Sequence, residues 1–190
     1  MGRGPYFVDT LPPLDLAARA AVNTFTAFQD IYGAPQKILP KWRMDAGLVL
    51  ELFAQGEYST TGTPTASVGF WFNGAALAVP TSILGQTQLA APGGTGVTSA
   101  HWEAYWRGTL RSIGTGAAGG TWKGRGWALL GATTTPFVSA TPWFIPTTLA
   151  LSTVTCDVTA DRAVGVGWQW GTSSASNTVT VDSFEARCSS

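Results

Sequence analysis

A chain of 190 residues, 45 % of them hydrophobic, is long enough for one well-buried domain, whereas two small domains would each be marginal. Charged residues make up only 12 %, about half of the roughly 25 % usual in soluble domains, and 11 basic side chains balance 11 acidic ones. With no Lys/Arg cluster to neutralise a run of phosphates, composition argues against nucleic acid as a partner, and no apolar run approaches the ~20 residues of a membrane-crossing helix.

Residues 1–12 read as an extended arm, because Pro5, Pro12 and Pro13 are poor occupants of a helix interior. Tyr6, Phe7 and Val8 give that arm an apolar patch. Arg3 is followed by Pro5 and Asp9 rather than by the apolar core of a signal peptide, so synthesis in a cytoplasm is expected. Leu14, Ala17, Ala18, Ala21, Val22, Phe25 and Phe28 then recur at steps of three and four, which predicts an amphipathic helix ended by Gly33 and Pro35. Residues 1–40 are thus expected to form an arm and one helix, and residues 41–190 a β domain.

From Lys37 onward the period is two. Leu48, Leu50 and Leu52 alternate with Val49, Glu51 and Phe53 in the first long strand. Gly56–Thr65, with its Ser-Thr-Thr-Gly-Thr-Pro centre, reads as a hairpin turn into the strand Thr65–Phe72. A weaker run covers Ala76–Ile83, before a glycine-rich loop at Ala91–Gly96 that is a candidate exposed tip. In His101–Ile113, Trp102, Ala104, Trp106 and Leu110 share one face, expected to be the core face, while Glu103, Tyr105, Arg107 and Arg111 share the other. Strands over Thr121–Leu130, Thr148–Cys156, Ala163–Gly171 and Thr178–Arg187 follow, the last two joined by the polar loop Gly171–Asn177, also read as a hairpin. About eight antiparallel strands after one helix predict an all-β, jelly-roll-like sandwich, and the absence of strand–helix alternation excludes a parallel α/β sheet.

Chemistry-bearing constellations are sparse. His101 is the only histidine and no Gly-x-Ser-x-Gly elbow is present, so a nucleophilic triad has nothing to anchor it. Glu51 and Glu103 are the carboxylates that a glycosidase reading would need, and the simpler reading makes both outward-facing polar residues. Gly114–Gly120 lacks the Gly-Lys-Ser/Thr ending of a phosphate loop. Cys156 and Cys188 are too few and too far apart for a metal site, and are expected to be buried thiols although their strands could face each other. Nine tryptophans invite a sugar-stacking role, but the pairs Trp102/Trp106 and Trp168/Trp170 each share a face as core residues do; Trp143, between prolines, is the loop-exposed candidate. No catalytic, cofactor-binding or metal-binding residue is expected.

Three separated segments carry a resemblance: Gly56–Thr65 leading into an aromatic strand, His101–Gly114, and the run Trp168–Val181 with its Gly-Thr-Ser-Ser-Ala-Ser-Asn centre. In that order, spanning about Leu48 to Arg187, the chain resembles β-rich virion structural proteins of tailed phages, especially those of actinobacterial hosts. The resemblance implies a non-enzymatic protein on the particle, foremost a capsid decoration protein on the outer surface. Its implied partner is the major capsid protein, or tail proteins, and its implied state a homotrimer. A minor tail or fibre protein that binds host glycans, through Pro92–Gly96 and Trp143, is the alternative. The first 40 residues fall outside the resemblance, which makes Tyr6, Phe7, Val8, Leu14, Phe25 and Phe28 the candidate partner-docking residues.

Overall fold

Side-chain alternation along the chain resolves into two antiparallel sheets packed face to face, as expected for an all-β sandwich. The computed structural model describes residues 9–11, 21–33, 35–62, 64–73, 82–90, 96–114, 119–131, 143–145 and 152–189. In chain order these form β1 (Asp9–Thr10), β2 (Val22–Asn23), β3 (Gln29–Asp30), β4 (Lys37–Leu39), a 3-10 turn (Lys41–Arg43), β5 (Val49–Ser59), β6 (Thr65–Asn73) and β7 (Ser82–Ala90). Then come β8 (Ala100–Ser112), β9 (Gly120–Leu130), β10 (Trp143–Ile145), β11 (Ser152–Cys156), β12 (Arg162–Trp170), β13 (Thr178–Val179) and β14 (Ser183–Ser189).

The larger sheet runs β1–β14–β5–β8–β9–β10, with β11 on the same edge of β9 as β10 and with β13 joining β5 to β2. The smaller runs β12–β6–β7, with β3 and β4 on the far side of β12. Among the described residues the larger sheet holds nine strands and the smaller five, and the hairpins β6–β7 and β8–β9 each stay within one sheet. Strands place correctly over most of the expected runs. Of the weak run Ala76–Ile83 only Ser82 and Ile83 lie within the described residues, where they open β7, and the single strand expected over Thr178–Arg187 divides into β13 and β14.

The helix expected over Leu14–Phe28 is not present in its described part. Val22 and Asn23 pair with Val179 and Thr178, and Gln29 and Asp30 pair with Trp168 and Gly167. Between them Thr24 takes left-handed backbone, φ 58°. The cause is legible in hindsight: Val22-Asn23-Thr24-Phe25-Thr26 is rich in β-branched and aromatic residues, which gain less in a helix than beside an available strand. Leu14, Ala17 and Ala18 lie outside the described residues, as do Tyr6, Phe7 and Val8.

The turn at Ser59–Thr65 is not a hairpin. β5 pairs with β8, β13 and β14, whereas β6 pairs with β7 and β12, so the chain arches from one sheet to the other there. The loop Gly171–Asn177 is likewise an arch, from β12 in the small sheet to β13 in the large one. The two arches meet. Asn177, 1 % exposed, accepts a hydrogen bond from the Thr61 amide at 3.1 Å and donates through Nδ2 to the Thr172 carbonyl at 3.0 Å. Asn177→Ala would leave the Thr61 amide and the Thr172 carbonyl, part-buried where they meet this side chain, without that partner. It is expected to lower stability by about 1–3 kcal/mol in urea denaturation, and an unchanged midpoint would show that the tie is idle.

Between the sheets lies an aromatic core. Trp102 meets Trp168 across the sandwich with ring centroids 5.5 Å apart, Phe72 meets Trp122 at 5.4 Å, and Trp168 stands edge-on to Trp170 at 5.2 Å. The Tyr58 hydroxyl donates to the Gly131 carbonyl at 2.5 Å, and burial pushes its pKa up to about 12. Cys156 and Cys188 are both buried free thiols, one accepting from Trp122 Nε1 and the other from Arg43 Nη1, each at 3.2 Å.

Candidate functional site

Strand alternation that sends Trp102 and Trp106 of β8 and Trp122 of β9 inward must send their neighbours out. On the outer face of the large sheet this produces a row of aromatic residues in register: Phe53 opposite Tyr105, Tyr105 opposite Trp127, and Trp127 opposite Phe144. The next row carries Arg187, Glu51, Arg107 and Arg125, and the row after it Val49, Thr109 and Lys123. Beneath these rows, on the inner face, Gly108 and Gly124 leave room for the Trp106 indole.

The aromatic and cationic rows border a shallow depression of about 490 Å³, whose floor is the backbone of Gly108, Gly124 and Gly126. Tyr105 and Trp127 sit with ring centroids 6.0 Å apart and planes tilted by 31°. Arg125 lies over the Phe144 ring at 5.6 Å, and Phe144 is 53 % exposed. Glu51 is the carboxylate beside this depression; it accepts from the Tyr105 hydroxyl at 3.0 Å and faces Arg107 Nε at 3.5 Å. Burial and the hydrogen bond to Glu51 push the Tyr105 pKa up to about 12, so its hydroxyl stays a neutral donor across physiological pH.

Arginine, lysine and aromatic faces arranged in this way can bind and orient a ligand. Glu103 is not the cross-strand neighbour of Glu51. Glu51 stands opposite Arg107 while Glu103 stands opposite Gln55, four residues apart along β8. At about 3.4 Å per residue their backbone positions are roughly 13 Å apart along the strands. His101, the second residue of β8, stands opposite Glu57. Among the described residues, no group of three or more His, Cys, Asp or Glu side chains is placed to hold a metal ion.

Of the residues singled out for docking, Phe25 is buried in the protein's own core and Phe28 packs half-buried against Gly167. Glycan contacts were expected at Pro92–Gly96 and Trp143. Residues 91–95 lie outside the described residues, and so does the Trp143 side chain. Sequence reading noticed the polar face of β8 but missed its partners on β9. Trp122 and Trp127 are five residues apart, an odd spacing that puts them on opposite faces of a strand, and that was the available signal.

A second exposed aromatic stands apart from the depression in sequence. Trp42, on the 3-10 turn after β4, is 70 % exposed, with the Arg43 guanidinium 4.8 Å from its ring. The turn is pinned at both ends, by the Lys41 amide donating to Asp161 at 2.8 Å and by Arg43 Nη1 donating to Cys188 Sγ. Among the described residues no helix is long and apolar enough to cross a membrane. No family model matches this chain, and no curated protein matches it.

Proposed function

We propose that this chain is a non-enzymatic structural protein of a tailed-phage particle, a homotrimeric decoration protein bound to the major capsid protein on the outside of the shell. The ordered resemblance of Gly56–Thr65, His101–Gly114 and Trp168–Val181 supports that class, as does a composition with only 12 % charged residues, since charge depletion marks protein interfaces. The single observation that carries the attachment is Trp42, a large apolar ring presented to solvent on a turn pinned at both ends. A rigid tryptophan beside an arginine has the composition of an interface hot spot.

The test is reconstitution. Particles from a phage deleted for this gene are mixed with the purified protein and sedimented, and wild type is expected to bind. Trp42→Ala is expected to bind about tenfold more weakly or worse, with an unchanged melting curve. Wild-type protein that stays in the supernatant would remove the reading.

The arm gives a second expected result. β1 pairs with the edge of β14, and Leu11, in the core, donates its amide to the Ala186 carbonyl at 2.7 Å. Deleting residues 1–8 therefore leaves the anchored part in place. The truncated protein is expected to keep its melting temperature and lose particle binding, since an apolar patch at Tyr6–Val8 gains roughly 25 cal/mol per Å² when buried on a neighbour.

A further inference from the structure

We propose that the depression on the outer face of the large sheet is a binding site for a carboxylate-bearing oligosaccharide, a short stretch of a uronic-acid glycan. Six side chains define it: Tyr105, Arg107, Lys123, Arg125, Trp127 and Phe144.

Charge selects the ligand first. Three cations border the depression, and the adjoining carboxylate, Glu51, is already engaged by Tyr105 and Arg107. The site is rich in donors and positive, and guanidinium groups match carboxylates in geometry as well as in charge. Shape selects next. The floor is flat glycine backbone, and its walls are tilted aromatic rings and arginine planes, which suit the apolar face of a pyranose ring better than they suit a branched side chain. About 490 Å³ falls within the size of small-ligand sites, roughly 300–1,000 Å³.

Two competing ligands fit less well. An extended peptide binds a sheet by adding a strand to an open edge, but β8 lies between β5 and β9, and β9 between β8 and the pair β10 and β11. The main-chain groups of the floor are already committed to those ladders. Single-stranded nucleic acid needs positive charge along several nucleotides. On the same outer face Glu57, Glu103 and Glu185 interrupt the positive charge, and Glu185 engages Arg187. A short, locally anionic saccharide meets these limits.

The experiment is calorimetric titration of the full chain with tetragalacturonate, tetraguluronate and a hyaluronan tetrasaccharide, each alongside its methyl ester. Binding of at least one acid, weakened tenfold or more by esterification, is expected. Arg107→Gln/Lys123→Gln, at exposed positions, is expected to remove the preference for acid over ester while leaving the melting curve unchanged, and Trp127→Ala to weaken both forms. The proposal is overturned if no oligouronate binds at millimolar concentration, if acid and ester bind equally, or if the double variant keeps the wild-type preference. Equal affinity for hexaglutamate or for oligo(dT) would overturn it too. Particle reconstitution is read separately through Trp42, so failure here leaves the decoration role standing, and the reverse also holds.

Discussion

Trp168→Ala is expected to cost about 3–5 kcal/mol, the range for emptying a buried tryptophan site. Trp168 is fully buried and stands at the centre of the aromatic core, with Tyr58 at 6.2 Å, Trp102 at 5.5 Å and Trp170 at 5.2 Å between ring centroids. Such a loss is a large part of the ~5–15 kcal/mol that holds a domain together. It would also loosen contacts contributed by both sheets. Urea denaturation followed by tryptophan fluorescence checks it, and a loss below about 1 kcal/mol would show that the core repacks around the gap.

Phenylalanine at the same positions separates packing from hydrogen bonding. Trp102 Nε1 donates to the Thr180 carbonyl at 3.0 Å, whereas Trp168 Nε1 is buried with no hydrogen-bond partner among the described residues. Trp168 and Trp170 meet edge-on. Trp102→Phe removes a satisfied donor and leaves Thr180 wanting; Trp168→Phe removes a donor that was already costly to bury. Trp102→Phe is therefore expected to be the more damaging by about 1 kcal/mol. Equal costs would mean that volume alone decides.

Gly56→Ala is the second large effect. A Cβ at Gly56 would lie 2.0 Å from the Thr180 carbonyl oxygen and 3.0 Å from Trp102 Nε1. The obstacle is backbone, so no rotamer change can relieve it, and β5 or the segment after β13 has to move. Thr180 donates its own amide to the Glu57 carbonyl and also accepts the Trp102 indole, so the shift would disturb both bonds at once. A loss of about 3 kcal/mol, at the upper end of ordinary overpacking, is expected in thermal or urea unfolding. A wild-type melting curve would contradict the close approach of these two segments.

Local alternation was legible in the sequence to the extent that it is a local property. The inward set Trp102, Ala104, Trp106 and Leu110 and the outward set Glu103, Tyr105, Arg107 and Arg111 were assigned from period two alone, and the inward set is buried. The failed helix at 14–28 shows the limit of that method. Val22, Phe25 and Phe28 satisfy a helical period, but the edges of β12 and β13 offered hydrogen bonds that no window of the sequence contains. Nor does the sequence announce that Lys37 is buried, with its ammonium 5.6 Å from the Tyr32 ring and 5.8 Å from that of Phe184.

The candidate site was half legible for the same reason. Tyr105 and Arg107 were placed on an outward face, but their conjunction with Arg125, Trp127 and Phe144 depends on strand register, which pairs residues that are distant in the chain. By itself the sequence determined the all-β class, the strand faces and the polar turns, because those follow from the alternation of side chains and from Gly, Pro, Ser and Thr at chain reversals. Tertiary structure decided the rest. The turns Ser59–Thr65 and Gly171–Asn177 read as hairpins, yet both are arches tied together through Asn177. A turn constrains only the residues within it, whereas the choice between pairing back and crossing to the other sheet is made by the partners that compete for each strand edge.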